Sequence, residues 1–458
     1  MIADWSFGKF DSYSVISFIS TFICIYLHNN FVDANYFIVP LIYFLCLLFL
    51  RNYDIYSNHL SIRIIDLLML VRYSIMPVSY YLRDAEPYSF DITLADEGLF
   101  LIVYEMICVF LSLNYFSKST FRNEDFNSDT KFGISFSDFG VRIIIVLFVI
   151  TMLMYPQYLK NLLTFSFESM EEVDIESNVN GMFNLIYKTG SVVLSCLLLS
   201  RLYSLGQSRK SFFIGICVTF ICVWICSLGT SGSVSRTSFL TNGIIYSLIL
   251  VKIFPLYKRN IFIMFAIVVG SMLVLGTISR FYADKSSENF VGDMLNFEML
   301  DSYFGGLRDV VVSIKASVNY DSLLDVETFF NDIFAGVPFF ASRSGVNFDI
   351  RSNAVFNLAF FGFPGINSRI CPLIGQGYIY LGPILAPLFT VFFVYMALLM
   401  NKKFNASNDT ISFYMYGLLC YFFSAYSMYN LNIVASGFWN KILPVLIVLS
   451  LNYVTKKH

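Results

Sequence analysis

Arginines at 280, 308, 343, 351 and 369 fall in one stretch of this chain, 280–377, with acids close to them in sequence: Glu298, Asp301, Asp309 directly after Arg308, and Asp349. A guanidinium is planar, permanently charged and able to form paired hydrogen bonds with a phosphate. Several of them beside an apolar surface would suit a lipid diphosphate. The acids are candidate bases, and Asp309 follows a glycine pair in FGGLRDVV that should bend the chain. Spacing does not rank these acids. The alternative for each arginine is a solvated loop surface or a local pair with an acid such as Asp349.

The three histidines stand at 28, 59 and 458, all outside this stretch, which excludes a histidine base and a histidine-ligated zinc there. No nucleotide-binding loop, HExxH, CxxC pair or nucleophile elbow is present, and no cofactor or metal is expected. Eight of the nine cysteines lie in apolar runs and only Cys371 falls in the arginine-bearing stretch, so no disulfide framework is expected. Cys222 and Cys226, four apart on one helix face, read as small apolar packing.

Two further groups could carry chemistry. The segment CSLGTSGSVSRTSFL holds Gly229, Ser231, Gly232, Ser233, Ser235 and Arg236, either a small-residue turn offering amides and one guanidinium to a phosphate or a tight hairpin with Arg236 reaching outward. Arg72 and Glu105 lie inside apolar runs, where ionisable groups are costly and rare. Their depths below the outer surface come to about 15 Å and about 12 Å at 1.5 Å per residue, so they could pair, for function or for structure alone. Arg63 and Asp66, three apart, read as a local pair near the inner surface.

The elements that must position these groups are membrane helices. Of 458 residues, 57% are hydrophobic and 14% charged, against about 25% charged in soluble domains. A net charge of −2 gives no sign of a nucleic-acid partner. Runs of about twenty apolar residues suffice to cross a bilayer, which gives about twelve spans, at roughly 12–28, 36–51, 61–82, 98–116, 140–158, 184–204, 212–229, 238–254, 261–280, 374–399, 411–430 and 438–454. The fold class expected is an all-α polytopic membrane protein: 1–280 carries spans one to nine, 281–373 is a large, partly helical outer loop, and 374–458 carries spans ten to twelve.

Lys9, Arg51, Lys118, Arg122, Lys131, Arg209, Lys210, Lys252, Lys258, Arg259, Lys402, Lys403, Lys456 and Lys457 gather on one side if both termini are cytoplasmic, as the positive-inside rule demands. Arg83 and Lys160 are the main exceptions. The start MIADWSFGKFDSY lacks a basic leader and cleavage site, so the first helix is expected to serve as the insertion signal. Loops longer than about fifteen residues are uncommon unless functional or disordered, and the large one has helical patterning. Within DSLLDVETFFNDIFAGVPFF, Asp321 resembles a cap, and Leu323, Leu324, Val326, Phe329, Phe330, Ile333 and Phe334 recur at helical spacing. This predicts an amphipathic helix on the outer leaflet or bundle rim, or else one covering the loop's own core, ended by Gly336 and Pro338.

The SGSVSRTSFL segment before a span, the large late outer loop and its exit NSRICPLIGQGYIYLGPILAPLF together resemble the Wzy-type O-antigen polymerases, the oligosaccharide repeat unit polymerases. The exit is similar to that family's re-entry signature at Pro372, Gly375, Tyr378, Leu381 and Gly382. An acid is common in the family near the place held here by Gln376, so its role does not carry over. The resemblance implies transfer of a growing glycan from undecaprenyl diphosphate onto a sugar hydroxyl of the next lipid-linked repeat unit, at the periplasmic face of the bacterial inner membrane. It implies a metal-independent membrane glycosyltransferase that meets undecaprenyl-diphosphate-linked oligosaccharides, membrane lipids and, in its pathway, a chain-length regulator and a flippase. Fixed guanidinium groups would stabilise the leaving diphosphate, and a carboxylate need only take the acceptor proton late in the step. On this reading Arg308, Arg343, Arg351, Asp309 and Asp349 carry the reaction, and Arg236, Arg280, Arg369 and Tyr378 hold substrate. The competing expectations are a flippase for lipid-linked oligosaccharide, which would normally have short, even loops, and an O-antigen ligase, which resembles a pattern with a loop histidine. A lipid-linked-sugar glycosyltransferase would be expected to use a long first outer loop, here only HNNFVDANY, and a plain transporter is a further alternative.

Overall fold

The computed structural model describes residues 11–31, 35–51, 59–82, 90–121, 138–156, 178–204, 208–228, 236–283, 303–334, 336–337, 351–365 and 369–456. Every regular element among them is helical. This follows from the composition: long apolar runs in lipid must satisfy each backbone amide within the segment.

The first half comprises α1 (Ser12–Phe31), α2 (Ile38–Phe49), α3 (Leu60–Leu70), a π-helical turn (Val71–Ile75), α4 (Met76–Tyr81), α5 (Ala95–Phe121), α6 (Phe139–Met154), α7 (Asn178–Ser204), α8 (Arg209–Ser227), α9 (Arg236–Ile253) and α10 (Lys258–Ala283). There follow α11 (Leu307–Asn319), α12 (Val326–Phe334), α13 (Ser352–Phe361), α14 (Leu373–Leu385), α15 (Leu388–Ala406), α16 (Thr410–Ser424), α17 (Leu431–Gly437), a second π-helical turn (Phe438–Ile442) and α18 (Leu443–Lys456). Ile92–Phe121, Gly181–Tyr203, Arg209–Ser227 and Leu431–Thr455 are long and apolar enough to cross a membrane, and α14 with α15 could form a fifth, bent crossing. Shorter apolar helices accompany them, α1, α2, α6 and α16 among these. This architecture fits an α-helical polytopic membrane protein.

The centre is the antiparallel pair α15 and α16, with α16 buried along nearly its whole length. Around it stand α3, α5, α7, α9 and α18. Against α5 lies α11, in which every residue from Leu307 to Ile314 is buried. The close approach depends on Gly98, where a Cβ would come 2.8 Å from Val311 Cγ2. The far side of α11 packs on α13 and α14. A helix from the expected outer loop is thus part of the bundle core. Gly305, at φ +60°, turns the chain into α11 at a point where a Cβ would come 2.8 Å from Pro372 Cβ, so the glycine pair of FGGLRDVV makes the expected bend.

Three local expectations are corrected. The run 374–399 is not one straight span: α14 and α15 meet at 112°. Gly382 at φ 73°, ψ 179°, together with Pro383 and Pro387, breaks the helix there. The cap of α12 is Asp325, whose Oδ1 accepts from Thr328 N at 2.9 Å, while Asp321 opens a 3-10 turn. Asp66 takes Arg51, at 2.8 Å, as its ion-pair partner, and Arg51 also reaches Asp11. Cys222 and Cys226 do pack inside the bundle, with Cys226 Sγ 3.2 Å from Tyr246 Oη, and all nine cysteines are free.

Candidate functional site

The amphipathic pattern of 321–334 gives a helix whose polar stripe faces inward. Thr328, Asn331 and Asp332 are buried, whereas Val326 and Phe330 on the apolar side are 71% and 51% exposed. A soluble amphipathic helix does the reverse. The outward apolar side suits lipid, and the inward polar side needs partners that the bundle must supply.

Those partners converge on Asp332 from three other helices. Ser352, at the start of α13, donates to it from its backbone N at 3.3 Å and from its hydroxyl. From α14, Tyr380 Oη donates at 2.7 Å and Gln376 Nε2 at 3.0 Å. From α17, Asn432 Nδ2 lies at 3.5 Å. Gln376 is itself held: its Nε2 reaches Ser352 Oγ at 2.7 Å, and its Oε1 accepts from Leu431 N at 2.8 Å. Asp332 has no exposed surface and no cation among these partners. Burial raises its carboxyl above the usual carboxylate range, and the hydrogen bonds from Ser352, Tyr380 and Asn432 pull it partly back. Such a group takes and gives up a proton closer to neutrality than a surface aspartate does.

A second cluster lies along the same helix α13. Asp309 Oδ1 is 3.4 Å from Arg369 Nη1 and 3.7 Å from Arg308 Nε. Both guanidinium groups also face the Phe360 ring, at 4.2 Å for Arg369 and 5.2 Å for Arg308 from its centroid. Arg308 and Asp309 have no exposed surface, whereas the Arg369 side chain is 13% exposed. Asn357 fixes Arg369 through two backbone bonds, accepting from its N at 3.1 Å and donating to its O at 2.9 Å. Asn353 Oδ1 accepts from Cys371 N at 2.9 Å and Asn430 Nδ2 at 3.3 Å. Ser352 and Asn357 are five residues apart, so α13 offsets the two clusters by about 7–8 Å along its axis.

Of the arginines and acids singled out from sequence, Arg308, Asp309 and Arg369 come together. Arg351 caps α13 without a side-chain cap bond. Tyr378 is directed elsewhere, its hydroxyl donating to Glu97 Oε1 at 2.7 Å. Arg236 opens α9 and Arg280 lies in the last turn of α10. The side chains of Arg236 and Arg280, the segment 229–235, and the whole of Arg343 and Asp349 lie outside the described residues, as do Arg83, Lys160, Glu298 and Asp301. Arg72 and Glu105 meet at 2.8 Å with almost no exposure, and Thr390 Oγ1 donates to the same carboxylate at 2.8 Å. The π turn Val71–Ile75 carries Arg72.

Sequence reasoning passed over Asp332. Its signal was present: a carboxylate between Phe329, Phe330, Ile333 and Phe334, on the narrow polar side of a strongly apolar helix. Gln376, set aside for lacking a charge, is the residue that binds the carboxylate supplied by α12. No protein-family model matches the chain, and comparison with curated proteins and with solved structures gives no match.

Proposed function

We propose that this chain polymerises undecaprenyl-diphosphate-linked O-antigen repeat units at the periplasmic face of a bacterial inner membrane, with about twelve crossings and both termini cytoplasmic. The observation that carries the reading is Asp332: a fully buried carboxylate held only by neutral donors, under a helix whose outward side is apolar. Beside it on α13 stands the Arg308–Asp309–Arg369 cluster.

In this reading the diphosphate of the donor lipid lies against Arg369, the guanidinium with exposed surface, with Arg308 behind it. The bond between the anomeric carbon and the diphosphate oxygen breaks as the acceptor hydroxyl oxygen bonds to that carbon. Negative charge grows on the leaving oxygen, where the guanidinium groups stabilise it. The hydroxyl proton passes late to Asp332, whose carboxyl is held by burial above the usual carboxylate range and so has a greater proton affinity than a surface aspartate. Tyr380 and Gln376 hold that carboxylate in place, and no step calls for a metal.

Deleting the gene in its native host and examining the lipopolysaccharide ladder tests this directly. A core carrying a single repeat unit means that export and ligation survive and polymerisation alone is lost. Loss of all repeat units would point to a flippase or ligase instead, and an unchanged ladder would refute a role in surface glycan.

A further inference from the structure

The five contacts that hold Asp332 are divided unequally between its two oxygens. Oδ2 accepts from the Ser352 hydroxyl, from Tyr380 Oη at 2.7 Å and from Gln376 Nε2 at 3.0 Å. Oδ1 accepts only from Ser352 N at 3.3 Å and Asn432 Nδ2 at 3.5 Å. Hydrogen bonds from N–H to oxygen cluster near about 2.9 Å, so both contacts to Oδ1 lie at the long edge of the range. Oδ2 is saturated, and Oδ1 keeps accepting capacity.

The partners also differ in their access to the surface. Ser352 and Gln376 have no exposed surface, like Asp332 itself. Tyr380 is partly exposed, but its ring packs on that of Phe329, with centroids 5.3 Å apart, and its hydroxyl is committed to Oδ2. Asn432 is partly exposed too, and the 3.5 Å contact to Oδ1 is the one hydrogen bond its side chain makes among the described residues. The two residues before it are fixed: Asn430 Oδ1 accepts from Ile433 N at 3.0 Å, and Leu431 N donates to Gln376 Oε1 at 2.8 Å. The backbone beneath Asn432 is therefore held while its amide is lightly tied.

We infer that Oδ1 is the oxygen of Asp332 that meets a polyol ligand, and that Asn432 covers this oxygen at rest and binds the polyol on its arrival. Identifying that ligand as the acceptor sugar rests on the polymerase reading. Releasing a contact at the limit of hydrogen-bond length costs little, and an incoming hydroxyl replaces it at Oδ1. The freed amide has a donor and an acceptor side, which suits a hydroxyl next to the reacting one on the same sugar. The reacting oxygen bonds to the anomeric carbon, its proton passes to Oδ1, and the diphosphate leaves with the electron pair of the broken bond.

The test uses the full-length protein in phosphatidylcholine nanodiscs and dicyclohexylcarbodiimide, an apolar reagent that adds to a protonated carboxyl as an O-acylurea, read at Asp332 by mass spectrometry. Asn432→Ala removes the cover and should speed labelling severalfold. Asn432→Leu fills the same place without an amide and should label near the wild-type rate. With lipid-linked repeat units from the native host, both variants should lower kcat/KM for the acceptor about tenfold, as loss of a hydrogen bond or two would, at an unchanged KM for the donor. Each change removes one long bond from a partly exposed side chain, so both variants should fold; were the alanine variant not to, the leucine variant still reads the contact. Wild-type extension by Asn432→Leu is what a merely space-filling residue would give, and it would overturn the contact. Labelling of Asn432→Ala no faster than wild type would overturn the assignment of Oδ1. A chain that labels as expected yet never extends a glycan keeps Asn432 as the cover of Oδ1 and refutes only the polymerase reading.

Discussion

Glu105 and Asp332 are both carboxylates with no exposed surface, and their surroundings differ in one respect. Glu105 has a guanidinium at 2.8 Å and a threonine hydroxyl at 2.8 Å, so its charge is neutralised within the bundle. Asp332 has a serine, a tyrosine, a glutamine and an asparagine, all neutral. A buried ion pair closed on itself holds two helices in register and has little left to offer a substrate. A buried carboxylate held by neutral donors keeps its proton affinity available. The contrast suits Glu105 to architecture and supports the proton-accepting role proposed for Asp332.

The largest effect should come from breaking the closed pair. Arg72→Ala or Glu105→Ala strands a buried charge and should cost about 3–5 kcal/mol, read as loss of folded protein on extraction. Reversing both charges together should restore much of what either reversal removes. In the other region, Arg369→Ala should lower the polymerisation rate by about 10²–10³-fold, the scale for one group stabilising developing charge, while insertion stays normal. Arg308→Ala, Arg343→Ala and Arg351→Ala should also abolish long chains in the ladder; wild-type lengths in all three would remove the diphosphate argument. Asp332→Asn should cost about 10²-fold in rate with little change in the yield of folded protein.

Asp332 also makes the stability of the protein depend on pH. The folded protein binds a proton at Asp332 more tightly than the unfolded chain does, so stability contributed by this residue is present at low pH. It falls as pH rises from about 4, the unfolded carboxylate range, through the raised folded value. Thermal unfolding of Asp332→Asn should show a shallower decline than wild type over that window. A smaller effect, about 1–3 kcal/mol, is expected for Gly375→Ala, whose Cβ would overlap Ser313 Oγ and push α14 off α11.

Much of the frame was legible because lipid imposes it. Long apolar runs announce helices, and an arginine and a glutamate at matched depth in neighbouring runs have few partners other than each other. The 321–334 pattern likewise showed an apolar and a polar side. What it could not show was which side meets the protein, since lipid accepts the apolar side that water would reject. Asp332 was lost on that point. The break at Gly382 escaped notice because a glycine and two prolines inside an apolar run are tolerated in membrane helices. The union of Arg308, Asp309 and Arg369 across sixty residues depends on Phe360 and Asn357 of α13, which local spacing does not reveal.

The most direct measurement is repeat-unit polymerisation by purified protein in lipid, comparing wild type, Asp332→Asn and Glu105→Gln at equal amounts of folded protein. The account predicts that Asp332→Asn leaves only single repeat units, while Glu105→Gln, once folded, extends chains at a rate close to wild type. Wild-type extension by Asp332→Asn would contradict it.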